Sequence, residues 1–328
     1  MADRGRACPL FYRYQPEDLA RPATLSASTL YVVGCLYGNT AALDVILERA
    51  AIEDATLIFN GDFHWLDTDP ADFRRIAATA AEHPAIQGNV EAELISGDDN
   101  GCGCAYPDYI DDTTVELSNS IAAALARTAS RLPDAVDPLR GLPRFLVAEV
   151  AGHRIAVLHG DPESLAGWRL ALEAMEPADP GVRGPAPWAG TPTSADQVAA
   201  WLARAQVTAF ASTHTGLPFA QDYDLPAGRG LVINNGRGGM PNFAGTTYGV
   251  ATRLSADPTP PADALYGIAL DGLRADAVPI TYDTDHWQRR FLAQWPPGSA
   301  AHTAYNELRR HGPALTIDQA TRGTISSC

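Results

Sequence analysis

Positive charge is scarce in this sequence. Its 328 residues include 24 lysines and arginines against 39 aspartates and glutamates, so the formal net charge is −15. The isoelectric point is near 4.8. Such a chain repels the phosphate backbone of nucleic acids, which excludes them as the default partner. A small anionic substrate is compatible with this charge only if a bound metal or a buried arginine makes the site locally positive.

Long hydrophobic runs are also missing. No window is long and apolar enough for a membrane span, and residues 1–15 carry scattered charges where a signal peptide needs an unbroken apolar stretch. The five cysteines are odd in number and spread over a long chain, which argues against a disulfide framework. We therefore expect a cytoplasmic protein with no membrane partner. We interpret Cys102 and Cys104, in a glycine-rich loop, as bystanders, with metal ligation as the open alternative.

Apolar residues, in contrast, are plentiful. With 46% hydrophobic and 19% charged residues, the chain can bury a large core. Short apolar runs alternate with helical patterns near the N-terminus. The predicted elements are a strand at 29–34, a helix at 41–51, a strand at 56–59, a helix at 72–82 and a strand end at 85–86. This alternation predicts an α/β fold with a parallel sheet, whose carboxyl edge gathers the ligand-binding loops.

The rest of the chain also alternates between predicted strands, helices and loops. Its predicted elements are a loop at 96–112, a helix at 114–132, a hairpin at 144–150 and 153–159, a helix at 194–205 capped by Ser194, and strands at 207–211, 231–234, 248–254, 266–270 and 275–282. Residues 176–192, dense in proline and glycine, are expected to form an irregular surface loop or lid. We predict one domain with a core of about residues 29–285. Residues 286–328 are predicted as a helical extension that ends in a polar tail.

Four polar residues stand where predicted strands end. Asp62 lies in Gly-Asp, Asn89 in Gly-Asn, His159 in His-Gly and His214 in Thr-His-Thr. A carboxylate, an amide oxygen and two imidazoles form a mixed oxygen and nitrogen set. Such a set suits a borderline divalent ion such as zinc, iron(II) or manganese.

The order of these motifs resembles the calcineurin-like metallophosphoesterases, whose pattern is D-x-H, G-D, G-N-H, H and G-H-x-H. The resemblance covers roughly residues 30–254, and each motif is short. It implies a four-layer α/β/β/α sandwich. It also implies two metals bridged by the aspartate.

Departures from the family pattern fall on one metal site. Cys35-Leu36-Tyr37 stands where the family has D-x-H, and Gly216 replaces the last histidine. The other set, Asp62, Asn89, His159 and His214, is complete. Val90 replaces the histidine that the family places beside the leaving group, and an acidic residue, Glu91, follows it.

Three interpretations of the altered pocket remain open. In the first, one metal binds alone at the complete set. In the second, Cys35 and Tyr37 are themselves ligands, with His64 as a further imidazole, because thiolate favours zinc or iron. In the third, Arg237 reaches into the vacated site and supplies a fixed cation for a phosphate or carboxylate. We favour the first and third together.

The resulting hypothesis is a metal-dependent phosphoesterase that acts on a small phosphorylated substrate. Asp62 and His214 are the predicted catalytic residues, and the predicted metal ligands are Asp62, Asn89, His159, His214 and Cys35. Arg237, Asn39 and Tyr37 are the predicted substrate-binding residues. One alternative is a catalytically inactive relative that binds a phosphorylated ligand or a protein partner. Another is a metal-thiolate site with Cys35 at its centre.

Overall fold

The structure is a computed structural model that describes residues 4–98, 100–176 and 190–326. Over these residues the strands are β1 Leu25–Ser26, β2 Thr29–Val33, β3 Thr56–Asn60, β4 Ala85–Ile86, β5 Phe145–Val150, β6 His153–Leu158, β7 Ala209–Ser212, β8 Phe219–Leu225, β9 Gly228–Asn234, β10 Gly249–Ser255, β11 Tyr266–Leu270, β12 Leu273–Ile280 and β13 Thr321–Ser326. The helices are α1 Thr40–Ile52, α2 Pro70–Ala81, α3 Asn89–Ser96, α4 Asp112–Ala129, α5 Pro133–Val136, α6 Ala195–Ala205, α7 Thr284–Gln294, α8 Ala300–His311 and α9 Ile317–Ala320.

The strands form two sheets. A six-stranded sheet has the order β11-β12-β10-β2-β3-β4, and a seven-stranded sheet has the order β1-β5-β6-β7-β9-β8-β13. Strands β2, β3 and β4 run parallel, and so do β6, β7 and β9. Each sheet therefore has a parallel centre whose strands end at one edge.

The apolar residues divide into three clusters that separate the layers. Between the sheets, residues such as Leu30 and Ile58 of the six-stranded sheet pack with Val157 and Ile233 of the seven-stranded sheet. The outer face of the six-stranded sheet is covered by α1, α2, α4 and α7. The outer face of the seven-stranded sheet is covered by α6 and neighbouring loops, with Trp201 fully buried. This arrangement confirms the predicted α/β/β/α sandwich.

Most predicted elements form within one or two residues of their expected bounds, including the antiparallel hairpin of β5 and β6. The C-terminal prediction is wrong at its end, because residues 321–326 form β13 and pair with β8 in place of a polar tail. The described residues between α3 and α4, 97–98 and 100–111, are irregular as predicted, but α3 itself was not foreseen. The predicted lid at 176–192 lies mostly outside the described residues. None of the described helices is both long and apolar enough to cross a membrane.

Ser194 gives a test of the predicted N-terminal cap of α6. Its hydroxyl accepts a hydrogen bond of 3.2 Å from the Gln197 backbone N–H at the start of α6, as the sequence predicts. We expect Ser194→Ala to lower the free energy of unfolding by about 1 kcal/mol, because an orphan amide loses its partner. Urea denaturation followed by circular dichroism measures this. Ser120→Ala, on the exposed surface of α4, is the matched control and should change stability by less than about 0.5 kcal/mol. Equal effects of both variants would contradict the capping role.

Candidate metal centre

Four strand ends bring the predicted ligands together. Asp62 follows the end of β3 by two residues, and Asn89 opens α3 three residues after the end of β4. His159 directly follows β6, and His214 follows the end of β7 by two residues. Each sheet thus contributes two ligand residues from adjacent parallel strands, and the site lies where the carboxyl edges of the two sheets meet.

His159 is at the centre of this group. Its Nε2 lies 3.1 Å from Asn89 Oδ1, 3.2 Å from Asp62 Oδ2 and 3.2 Å from His214 Nδ1. Donor atoms of Asp62, His159 and His214 all lie within 4.8 Å of one another, a spacing suited to one metal ion. Among the described residues this is the one such group of histidine, cysteine, aspartate or glutamate side chains.

Backbone carbonyls orient three of the four side chains. His159 Nδ1 lies 2.9 Å from the Asn60 carbonyl oxygen, and His214 Nε2 lies 3.1 Å from that of Cys104. The Asn89 amide donates to the Cys102 carbonyl at 3.0 Å, which turns its oxygen toward the centre. A carbonyl oxygen only accepts, so the contacting nitrogens carry the protons and the opposite ring nitrogens carry lone pairs.

Lone pairs from His159, His214, Asn89 and Asp62 therefore face one another. Such acceptors repel unless a cation or a proton lies between them, so the residues present fit a divalent metal. Burial and the neighbouring His159 lower the pKa of His214 to about 4, which leaves its Nδ1 free to ligate at neutral pH. Burial by itself lowers the pKa of His159, but the Asp62 carboxylate outweighs it and the net shift is upward. Burial by itself raises the pKa of Asp62, and His159 reverses this.

Glu91 holds the Asp62 loop in place. Asp62 has a left-handed backbone with φ of +53°, a conformation that is costly for a residue other than glycine. Glu91 Oε2 accepts from the Asp62 amide at 2.7 Å and from the Gly88 amide at 3.0 Å. The Val90 amide donates to Asp62 Oδ1 at 3.0 Å, so the other carboxylate oxygen faces the centre. The sequence shows Glu91 as an acidic residue after Val90, but its contacts with the Asp62 and Gly88 amides arise only in the folded chain.

The segment that carries Cys102 and Cys104 does return to the site. It contributes backbone carbonyls to Asn89 and His214, whereas its two thiols are buried and lie outside the ligand group. The Trp168 indole also donates to the Cys104 carbonyl, at 2.9 Å, and its ring meets His214 edge-on at 5.4 Å. Trp168 forms a wall beside the predicted catalytic histidine.

Cys35 and Tyr37 occupy the positions of the missing D-x-H ligands. Cys35 lies outside the ligand group, and the Thr213 hydroxyl contacts its sulfur at 3.8 Å. Burial raises the pKa of the Cys35 thiol and of the Tyr37 phenol well above their usual ranges, so both groups keep their protons. The Tyr37 ring packs edge-on against Tyr305 at 5.7 Å. These contacts argue against anionic ligands, and the ligand role of Cys35 stays a prediction.

His64 does not face the centre. Its ring stacks on Phe73 with centroids 3.9 Å apart, and its Nε2 lies 3.3 Å from the Phe73 carbonyl oxygen. Its Nδ1 lies 3.5 Å from Glu91 Oε1. The structure therefore assigns His64 to packing, and its interpretation as a further ligand is wrong.

Two predicted substrate residues have different environments. Both side-chain groups of Asn39 are engaged: its oxygen caps α1 through the Ala42 amide, and its nitrogen donates to the Gly239 carbonyl at 3.1 Å. Asn39 is fully buried, so its predicted contact with substrate is not supported. Arg237, in contrast, lies directly against Gly216, where the family has a histidine.

Gly88 gives a test of the position of the Asp62 carboxylate in the metal centre. A Cβ atom there would lie 2.1 Å from Asp62 Oδ1, although its backbone suits any residue. We expect Gly88→Ala to displace the carboxylate and weaken zinc binding about 10- to 100-fold in a chelator competition assay. Gly141→Ala, in open space, is the matched control and should bind zinc normally. Unchanged affinity in Gly88→Ala would contradict the proposed position of Asp62.

Comparison with known proteins supports the fold. No protein-family model matches the chain, and no curated protein matches its sequence. Among solved structures, a hypothetical protein, PH1004, from Pyrococcus horikoshii OT3 is similar, with a TM-score of 0.56 and 16% identity over 88% of this chain and 100% of that chain. A metallophosphoesterase from Sphaerobacter thermophilus has a TM-score of 0.50 and 16% identity over 85% of this chain and 98% of that one. The chain thus has the fold of the metallophosphoesterases, as the order of its motifs predicts.

Proposed function

We propose that this protein hydrolyses phosphate esters with one divalent ion, zinc, iron or manganese, held by Asp62, Asn89, His159 and His214. The observation that carries the proposal is the convergence of three lone-pair atoms on His159 Nε2, with separations of 3.1 to 3.2 Å. The similarity to a metallophosphoesterase supports the same class of reaction. A small phosphorylated substrate is compatible with the strongly negative net charge because the divalent ion would make the site locally positive.

A bound divalent ion would supply Lewis-acid chemistry, which lowers the pKa of water and offsets charge on a phosphoryl oxygen. The chain supplies the geometry. Val90 and Glu91 fix the Asp62 loop, and the carbonyls of Asn60 and Cys104 hold the two imidazoles in the ligating tautomer.

The surroundings of the ligands restrict the chemistry further. Trp168 shields one side of His214 from water. Val90 carries no ionisable group, so it cannot protonate a leaving group as the family histidine does. We therefore expect faster hydrolysis of esters with acidic leaving groups, such as aryl phosphates, than of alkyl phosphates.

A binding protein without catalysis is the second candidate function. Cys35, Tyr37 and Gly216 in place of three ligands, and Val90 in place of the proton donor, favour it. Such a protein would keep the metal and a phosphorylated ligand without turning it over. The metal-thiolate alternative has less support, because Cys35 lies outside the group of side chains that are close enough to share one ion.

Metal content is the first measurement. Protein purified without chelator should contain about one zinc, iron or manganese ion per chain by elemental analysis. Asp62→Ala and His214→Ala should lose it, and both should hydrolyse aryl phosphates at least about 100-fold more slowly. His286→Ala, at an exposed site on α7, is the control and should keep metal and activity. A folded wild type without metal would refute the hydrolase proposal, and one with metal but no turnover of mono- or diesters would favour the binding protein.

Cys35→Ser distinguishes the metal-thiolate alternative. The substitution replaces the buried thiol with a hydroxyl of similar size beside Thr213. We expect metal content and turnover within about twofold of the wild type, because a protonated thiol outside the ligand group contributes no metal bond. Elemental analysis of both proteins purified in parallel, with thermal unfolding as the folding check, measures this. Loss of the metal from a folded variant would instead make Cys35 a ligand.

A further inference from the structure

Arg237 follows β9 by three residues, and β9 is the neighbour of β7, the strand that leads to His214. The side-chain amide of Asn242 bonds both the backbone N–H and the backbone carbonyl of Arg237. The Arg237 N–H donates to Asn242 Oδ1 at 2.8 Å, and the Asn242 side chain donates back to the Arg237 carbonyl at 2.8 Å. The Val250 amide donates to the same carbonyl at 2.9 Å. The base of the arginine side chain is therefore fixed relative to the strand ends that carry the ligands.

The guanidinium lies against Gly216, two residues after His214. A Cβ atom at position 216 would lie 2.7 Å from Arg237 Nε and 3.1 Å from Cζ. A histidine at 216 and the present position of Arg237 are thus mutually exclusive. The side chain of Arg237 takes up space that the side chain of a ligand at 216 would need.

Arg237 lacks a counter-ion in the described part of the chain. Its Nη1 is buried and has no hydrogen-bond partner. Two other arginines in the molecule show the usual solution: Arg49 pairs with Asp263 at 2.7 Å, and Arg6 pairs with Asp112 at 2.7 Å. A buried and unpaired guanidinium nitrogen is costly, and an anionic ligand is the partner that would remove this cost.

Thr213 links Cys35 with the strand ends that carry His214 and Arg237. Its hydroxyl contacts the Cys35 sulfur at 3.8 Å and donates to the Gly236 carbonyl at 2.6 Å. Thr213 directly precedes His214 in the chain, and Gly236 directly precedes Arg237. Cys35, the ligand His214 and the base of Arg237 are therefore neighbours at this edge of the sheets.

We infer that Arg237 takes the place of a second metal ion, so that a phosphoryl group binds with its oxygens shared between the single metal and the guanidinium. The inference rests on the proposed function for the metal, and it assigns Arg237 and Gly216 as a coupled pair. A planar guanidinium presents two parallel N–H donors to a phosphoryl group and needs no side-chain ligands of its own. The contact of Arg237 with Gly216 accounts for the absence of a histidine ligand at that position.

Inorganic phosphate is the probe that tests this. Isothermal titration of zinc into the metal-free wild type should give one metal per chain. Titration of phosphate into the zinc-loaded protein should then give a measurable affinity. Arg237→Gln should keep one zinc ion at unchanged affinity but bind phosphate about 10- to 100-fold more weakly, because a charge-assisted pair is lost. Arg237→Lys keeps the positive charge but lacks the two parallel N–H donors of the guanidinium. Its phosphate affinity should lie between those of the wild type and Arg237→Gln. Arg74→Gln, which removes an exposed arginine paired with Asp134, is the control and should bind phosphate normally.

Several outcomes would overturn the inference. Two metal ions per chain in the wild type would leave no place for the guanidinium to fill. Phosphate affinity in a folded Arg237→Gln equal to that of the wild type would remove its role. If that variant unfolds, phosphate affinity in a folded Arg237→Lys equal to that of the wild type would show that the paired guanidinium donors do not bind the phosphoryl group. Failure of the proposed hydrolysis is distinguishable, because a wild type that binds zinc and phosphate through Arg237 without turnover keeps this inference and loses only the catalytic one.

Discussion

The structure of this site depends on the close approach of three electron-rich atoms to one buried imidazole nitrogen. His159 Nε2, Asp62 Oδ2, Asn89 Oδ1 and His214 Nδ1 repel one another unless positive charge lies among them. The protein does not relieve this by turning the side chains away. It fixes three of them in place with backbone carbonyls on their far sides.

Holding such a group requires support from both sheets. Asp62 adopts an unfavourable backbone conformation, and Glu91, itself buried, accepts hydrogen bonds from the two amides that would otherwise be orphaned. Gly88 has no side chain because Asp62 leaves no space for one. The cost of this strain is offset by the packed sheets on which the loops stand, so rigid strands position residues that loops alone could not hold.

The positions where the sequence departs from the family pattern, 35, 37 and 216, are packed with side chains. Cys35 and Tyr37 are buried and keep their protons, and the side chain of Arg237 packs on Gly216. A pocket that had lost all function would be expected to fill with apolar side chains, whereas this one retains an arginine with a buried, unpartnered nitrogen. A single metal and a guanidinium together carry less charge than two metals. That difference would weaken the stabilisation of charge on a phosphoryl group and make the reaction more dependent on the leaving group.

The sequence by itself determined the class of fold, and it predicted which polar residues meet at the strand ends. Alternating strand and helix patterns, together with Asp62, Asn89, His159 and His214 at strand ends, predict the sandwich and the residues at its edge, because hydrophobic period and turn chemistry are local properties. It could not determine the parallel pairing of β13 with β8, which depends on contacts between residues about one hundred positions apart. It also missed the capping of α1 by Asn39, the packing of His64 and the carbonyls of Cys102 and Cys104. Backbone groups carry no side-chain signature, and the direction of a side chain such as Arg237 is decided only when two sheets and their loops pack together.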